Sequence, residues 1–275
     1  VLRLLCAIGA GPCREICALT GASMQTVTRL CKLGLLEQQE REVLRSPKQE
    51  LPPPAEPITL TDEQQTAFDG LSAQMEREKP GAALLYGVTD SGKTAVYVAL
   101  IQKALDEGRS AMLLVPEIAL TPQLLGRMTA HFGKTVAVLH SSLRVGERYD
   151  EWRRIARGEA RVVVGTRSAV FAPLQSPGLL ILDEEQEHTY KSENAPRYHA
   201  REIALYRGAK AGALVLFGSA TPSIETMYLA KTGVYTLYTL KTRYNGRALP
   251  AARLIDMKQE LRAGNDLDLS RELEE

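Results

Sequence analysis

Short apolar runs recur through the middle of the chain, at residues 82–86, Ser110 to Val115, Val136 to Leu139, Arg161 to Gly165, Gly178 to Leu182 and Ala213 to Phe217. Read as strands with helical segments between most of them, they predict an α/β fold whose mostly parallel sheet is covered on both faces. Ahead of the first run, Leu60 to Phe68 opens a helix with Thr61 as its N-cap. The first fifty residues follow a different rhythm. Cys13 to Leu19 reads as a helix, Thr20 to Ser23 as a turn, and Met24 to Leu33 as a second helix stopped by Gly34. Leu35 to Glu37 and Glu42 to Leu44 then read as two short strands. Helix, turn, helix and hairpin make a winged-helix outline, suited either to DNA through Gln25, Thr28, Arg29 and Lys32 or to packing alone. The Pro-rich stretch 51–57 is a stiff linker. The domains expected are therefore a small winged-helix domain (1–50), the linker (51–57), the α/β lobe (58–240) and a connector (241–275).

Composition narrows the picture only slightly. The chain has 275 residues, is 44% hydrophobic and 24% charged, and carries a net charge of +1, so any nucleic-acid surface must be local. No apolar run approaches the roughly 18 residues of a membrane span, and the start lacks a signal-peptide layout. The first residue is Val1, and the pattern there begins in mid-course, as expected of a piece of a longer protein. The four cysteines, Cys6, Cys13, Cys17 and Cys31, contain no Cys-x2-Cys pair, so they read as buried free thiols rather than zinc ligands.

The chemistry concentrates in three stretches. Gly87-Val88-Thr89-Asp90-Ser91-Gly92-Lys93-Thr94 follows a strand and opens a helix, the setting a phosphate-binding loop requires. Gly87 and Gly92 let the backbone curl its N–H groups toward phosphate oxygens, Lys93 supplies charge, and Thr94 reaches Mg²⁺. Just upstream, Gln64 carries an amide able to read an adenine edge. The second stretch is the apolar strand ending in Asp183-Glu184, which places two carboxylates at the sheet edge where ligands bind. Asp183 suits Mg²⁺, and Glu184 suits orientation and deprotonation of an attacking water. In the third, Gly218-Ser219-Ala220-Thr221-Pro222, Ser219 and Thr221 suit a relay between phosphate hydrolysis and a second ligand.

Taken in order, these motifs resemble the first, RecA-like P-loop NTPase lobe of a superfamily 2 DNA helicase. With Val115 to Gln123, Val138 to Ser141, Gly165 to Pro173, Asp183-Glu184-Glu185, Tyr190-Lys191 and Arg197 to Arg201, the chain more narrowly resembles the primosomal protein N′ family of replication-restart helicases. That resemblance implies an ATP- and Mg²⁺-dependent 3′-to-5′ helicase that loads the primosome at stalled forks, bacterial, cytoplasmic and nucleoid-associated. Its implied partners are single-stranded and forked DNA, primosome proteins and single-strand-binding proteins, with no membrane. Pro116, Glu117, Thr121, Gln123, Gly165, Thr166 and Arg167 would follow the DNA backbone. Tyr190, Lys191, Arg197 and Tyr198 would form an aromatic-rich loop coupling DNA stacking to ATP, with Gln186, Ser219 and Thr221 between the two sites.

Three departures bear on activity. Gln186 replaces the family's usual His, able to bridge toward Ser219 or Thr221 but not to take a charge. Asp90 replaces a Gly in the phosphate loop, where a carboxylate repels triphosphate unless it faces solvent. The second motor lobe, its arginine and the family's zinc-binding cysteines are expected outside this chain, so the chain alone is expected to turn over little or no ATP. Two alternatives remain open: a DNA-binding or partner-docking module with a decayed motor lobe, and another superfamily 2 DNA translocase.

Overall fold

The computed structural model describes residues 1–39, 53, 55, 58–77, 79–243, 253–265 and 267–274. The chain divides into two compact units, Val1–Arg45 and Ser46–Glu275.

In the first unit, α1 (Leu2–Ile8) precedes the two expected helices, α2 (Cys13–Thr20) and α3 (Met24–Lys32). Gly21 takes the left-handed conformation that ends α2, and the Ser23 hydroxyl accepts the Thr26 N–H to start α3. Gln25, Thr28, Arg29 and Lys32 are exposed on α3. The expected strand at 35–37 does not form, because Leu35 is exposed and no described strand lies beside it. Its companion at 42–44 lies outside the described residues. The cysteines are free, as expected, yet none is buried: Cys6 is exposed and the other three are partly so. Only Ile16 and Val27 are buried among the described residues of this unit, too small a core to enclose four thiols.

The second unit is built on a seven-stranded sheet. Its strands are β1 (Ala82–Gly87), β2 (Ser110–Leu114), β3 (Val136–Leu139), β4 (Val162–Gly165), β5 (Pro177–Asp183), β6 (Leu214–Ser219) and β7 (Thr236–Leu240). Their order is β3-β4-β2-β5-β6-β1-β7, and every pair is parallel. Six strands fall where the apolar runs place them. β7 was not expected: Thr236 and Leu237 are exposed and only Leu240 is buried, so Thr236-Leu237-Tyr238-Thr239-Leu240 shows no continuous apolar run.

Successive residues of each strand feed opposite faces. Ala83 and Leu85 of β1 join one core with Leu71 of α4 (Asp62–Met75), Ile101 of α5 (Lys93–Asp106) and Met128 of α6 (Pro122–Phe132). Leu84 joins the other core with Ile155 of α7 (Val145–Ala156), Ala204 of α8 (Ala200–Ala211) and Ala230 of α9 (Ile224–Lys231). Two short helices, α10 (Met257–Arg262) and α11 (Arg271–Glu274), follow. No described helix is long and apolar enough to cross a membrane. Because all strands run one way, the loops after β1, β5 and β6 share one edge of the sheet. β6 lies between the other two, so about 10 Å separates the ends of β1 and β5.

Candidate nucleotide site and the neighbouring groove

The segment from β1 to α5 leaves a cradle of backbone amides. Gly92, left-handed at φ 78, is the N-cap of α5, and no side chain caps that helix start; the Ala95 N–H turns back to the Gly92 carbonyl, which leaves the amides before it suited to an anion. Lys93 donates from Nζ to the Gly87 carbonyl at 3.2 Å and lies 3.9 Å from Glu184 Oε1. The Ser91 hydroxyl is buried without a partner, and a Cβ on Gly87 would lie 2.5 Å from it. A side chain at Gly87 would therefore crowd the loop. Residues 89–95, with Asp183 and Glu184, line a cavity of about 790 Å³. Thr94 lies on that wall, whereas Val88 is partly buried and held by its N–H to the Leu240 carbonyl.

Gln64 departs from its expected use. It is 1% exposed; its Oε1 accepts the Thr61 N–H at 3.0 Å and its Nε2 donates to the Ser91 carbonyl at 2.9 Å. Both ends of the amide are taken, so it braces the phosphate loop instead of presenting itself to a base.

Asp183 ends β5 opposite Gly218 of β6, and the Tyr97 hydroxyl donates to its Oδ1 at 2.8 Å. Burial pushes the Asp183 carboxyl above the usual range, opposed by that hydrogen bond. Glu184 takes φ 46, a left-handed backbone that L residues rarely adopt. Its Oε2 accepts Gln186 Nε2 at 3.0 Å, and Gln186 Oε1 accepts the Ser219 hydroxyl at 2.6 Å. The Thr221 N–H in turn donates to Ser219 Oγ at 2.9 Å. Gln186 therefore spans acid pair and β6 loop, while His188 stands exposed beside the other cavity.

That second cavity, about 410 Å³, lies over the ends of β2 and β4 and includes Pro116, Glu117, Thr166, Arg167 and Lys191. Gly165 passes so close to β3 that a Cβ would meet the Leu139 carbonyl at 2.3 Å. Thr121 caps α6 and is exposed with Gln123, but neither lines the cavity. Arg167 spends one nitrogen on the Thr189 and Lys191 carbonyls, at 3.0 and 2.6 Å, and its guanidinium lies 5.9 Å from the Tyr198 ring centre. Tyr198 also packs edge-on against Phe171 at 4.8 Å. Arg197 and Lys191 are exposed.

Tyr190 requires a correction. It is 1% exposed, so no base can stack on it. Its hydroxyl donates to the Asp183 carbonyl at 2.6 Å, with the Leu114 carbonyl at 3.0 Å, and burial raises its pKa well above the ordinary value. It belongs to the frame behind the acid pair.

A DEAD/DEAH box helicase family model matches residues 61–229. The chain belongs to that family. It is 47% identical to the replication restart protein PriA of Bacillus subtilis (strain 168) over 265 residues, 96% of this chain and 33% of that protein. PriA of Synechocystis is 40% identical over 257 residues, covering 92% of this chain and 31% of its own length. The chain thus spans about a third of the curated relatives it matches. Among solved structures, RecG bound to a three-way DNA junction aligns with a TM-score of 0.51 and 24% identity, over 76% of this chain and 28% of RecG. That likeness shows the fold, an α/β lobe on a parallel sheet.

Several features of this DEAD/DEAH box lobe were not foreseen. Arg127 and His131, four residues apart on α6, face the phosphate loop across its cavity, and burial with the nearby Arg127 charge lowers the His131 pKa. Their i, i+4 spacing places them on one helix face, but only the sheet order brings that face to the loop. Asp90 is exposed and takes φ 63, a conformation glycine adopts freely. Asp90→Gly is expected to raise ATP affinity about threefold, since it removes a partly screened like charge near the phosphates. A fluorescent-nucleotide titration reads this, and unchanged affinity would mean that the carboxylate does not act on the phosphates.

Proposed function

We propose that this chain is the ATP-binding motor lobe of a longer DNA helicase acting in replication restart. The observation that carries the reading is the approach of Lys93 to Glu184, which joins the phosphate loop and acid pair in one cleft. ATP fits the residues present: the unpartnered Ser91 hydroxyl and uncapped α5 amides are donors awaiting an anion. Mg²⁺ fits as well, because a phosphate-bound magnesium takes one or two protein oxygens rather than a full cage, and Thr94 and Asp183 supply them. The metal, when bound, neutralises charge between the phosphates. Lys93 and the loop amides hold the phosphates, and Glu184 orients a water and accepts its proton. Gln186 and Ser219 report the state of Glu184 toward Thr221.

The second cavity is read as the path of a single DNA strand, held through phosphates without base reading. Thr166 and Lys191 contribute from the cavity, with Arg197 and Tyr198 beside it. Arg167 serves by shaping the loop it braces. The longer protein would use zinc outside this chain and assemble with primosome and single-strand-binding proteins in the bacterial cytoplasm, near the nucleoid. The N-terminal unit is read as part of a winged-helix domain, with α3 as its candidate DNA face.

Lys93→Ala tests the site. Affinity for a fluorescent ATP analogue is expected to fall at least tenfold, about 1.4 kcal/mol, with little ATP turnover by this chain in either form. Equal affinity in the two proteins would remove the nucleotide reading.

A further inference from the structure

α5 sends two side chains toward the acid pair from consecutive turns. Lys93 approaches Glu184, and Tyr97, four residues on, donates to Asp183 Oδ1 at 2.8 Å. To reach Asp183 the tyrosine must cross the end of β6, the strand between β1 and β5. It crosses at Gly218, where a Cβ would lie 1.7 Å from the Tyr97 hydroxyl. Nothing but hydrogen fits there. The ring is 1% exposed, and its hydroxyl is spent on Asp183 Oδ1. The Asp183 carbonyl is fixed separately by Tyr190 at 2.6 Å.

We propose that Tyr97 is a positioning residue for the magnesium of the ATP site, pinning one oxygen of Asp183 so that the other faces the cation. The inference rests on the nucleotide reading above. A carboxylate gripped at one oxygen loses its rotational freedom before the metal arrives, and outer partners of this kind set metal affinity. The glycine of the Gly218-Ser219-Ala220-Thr221-Pro222 stretch then has its own purpose: it is the notch through which the tyrosine passes.

The test is a titration of a fluorescent ATP analogue at graded Mg²⁺ and in EDTA, with thermal unfolding of each protein without ligand. In Tyr97→Phe the half-saturating Mg²⁺ is expected to rise about tenfold, while affinity in EDTA stays at the wild-type value. Gly218→Ala, which displaces the hydroxyl from the opposite side while keeping it, is expected to give the same shift. If Tyr97→Phe weakens binding equally with and without Mg²⁺, or leaves the Mg²⁺ dependence unchanged, the tyrosine is only packing and the inference is overturned. If Tyr97→Phe is unfolded, the Gly218→Ala titration decides in the same way. Wild-type protein that binds no nucleotide would instead overturn the nucleotide reading itself.

Discussion

In the longer helicase proposed above, Glu184→Gln is expected to cut ATP turnover about a thousandfold while leaving ATP affinity within a factor of two. Glu184 reaches toward Lys93 with Oε1 and is held from behind at Oε2 by Gln186. An amide keeps the shape and one oxygen to accept from Gln186 but accepts no proton, so the loss falls mainly on the chemical step, where general-base catalysis contributes about 10² to 10⁴. Steady-state hydrolysis with single-stranded DNA present, beside equilibrium nucleotide binding, separates the two effects. Near-normal turnover would place the base elsewhere. The left-handed backbone at Glu184 belongs to the same argument, because strain kept at a reacting residue has to be held by its surroundings.

Those surroundings include the next residue, and the second large effect is expected there. Glu185→Ala should destabilise the folded lobe by about 3 kcal/mol, the lower end for breaking a buried ion pair. Glu185 is 1% exposed and pairs with Arg201. Its Oε1 accepts the Ser223 N–H at 2.7 Å, and its Oε2 accepts the Thr226 hydroxyl at 2.9 Å. Removing the carboxylate leaves the Arg201 charge with only the Ser223 hydroxyl and the Glu185 carbonyl as acceptors, and the Ser223 N–H at the start of α9 without its own. Arg201 retains some exposure, which moderates the cost. Urea unfolding of this chain measures it. A midpoint unchanged from the wild type would mean that Arg201 finds another acceptor at no cost. Glu185→Gln is expected to lose less, since one oxygen remains to accept.

Local patterns carried much of this into view beforehand. The phosphate loop was legible because its glycines, lysine and threonine act through backbone geometry set within eight residues. Six strands were legible because burial on both faces forces continuous apolar runs, and β7 was not, because its first residues are exposed and escape that demand. Tyr97 was hidden for another reason. Its partner lies 86 residues away, and nothing in the chain order says that a glycine strand-end lies between them. Gln64 and Tyr190 show the opposite failure. Each side chain has the chemistry assigned to it, but folding had already committed its polar atoms to the backbone of the site. Gln186 bridged to Ser219 as its amide allows, since that contact joins two motifs already placed at neighbouring strand ends.

Tyr190 touches two strands at once. Its hydroxyl lies against the carbonyls that finish β5 and β2, one strand of the nucleotide cleft and one strand of the groove. It acts as a rivet between two adjacent rails. The gauge between the clefts is therefore fixed by the pitch of the sheet, and no loop length enters it. Insertions at the opposite edge of the sheet, where the strands begin, can dress the outside of such a lobe without changing that spacing.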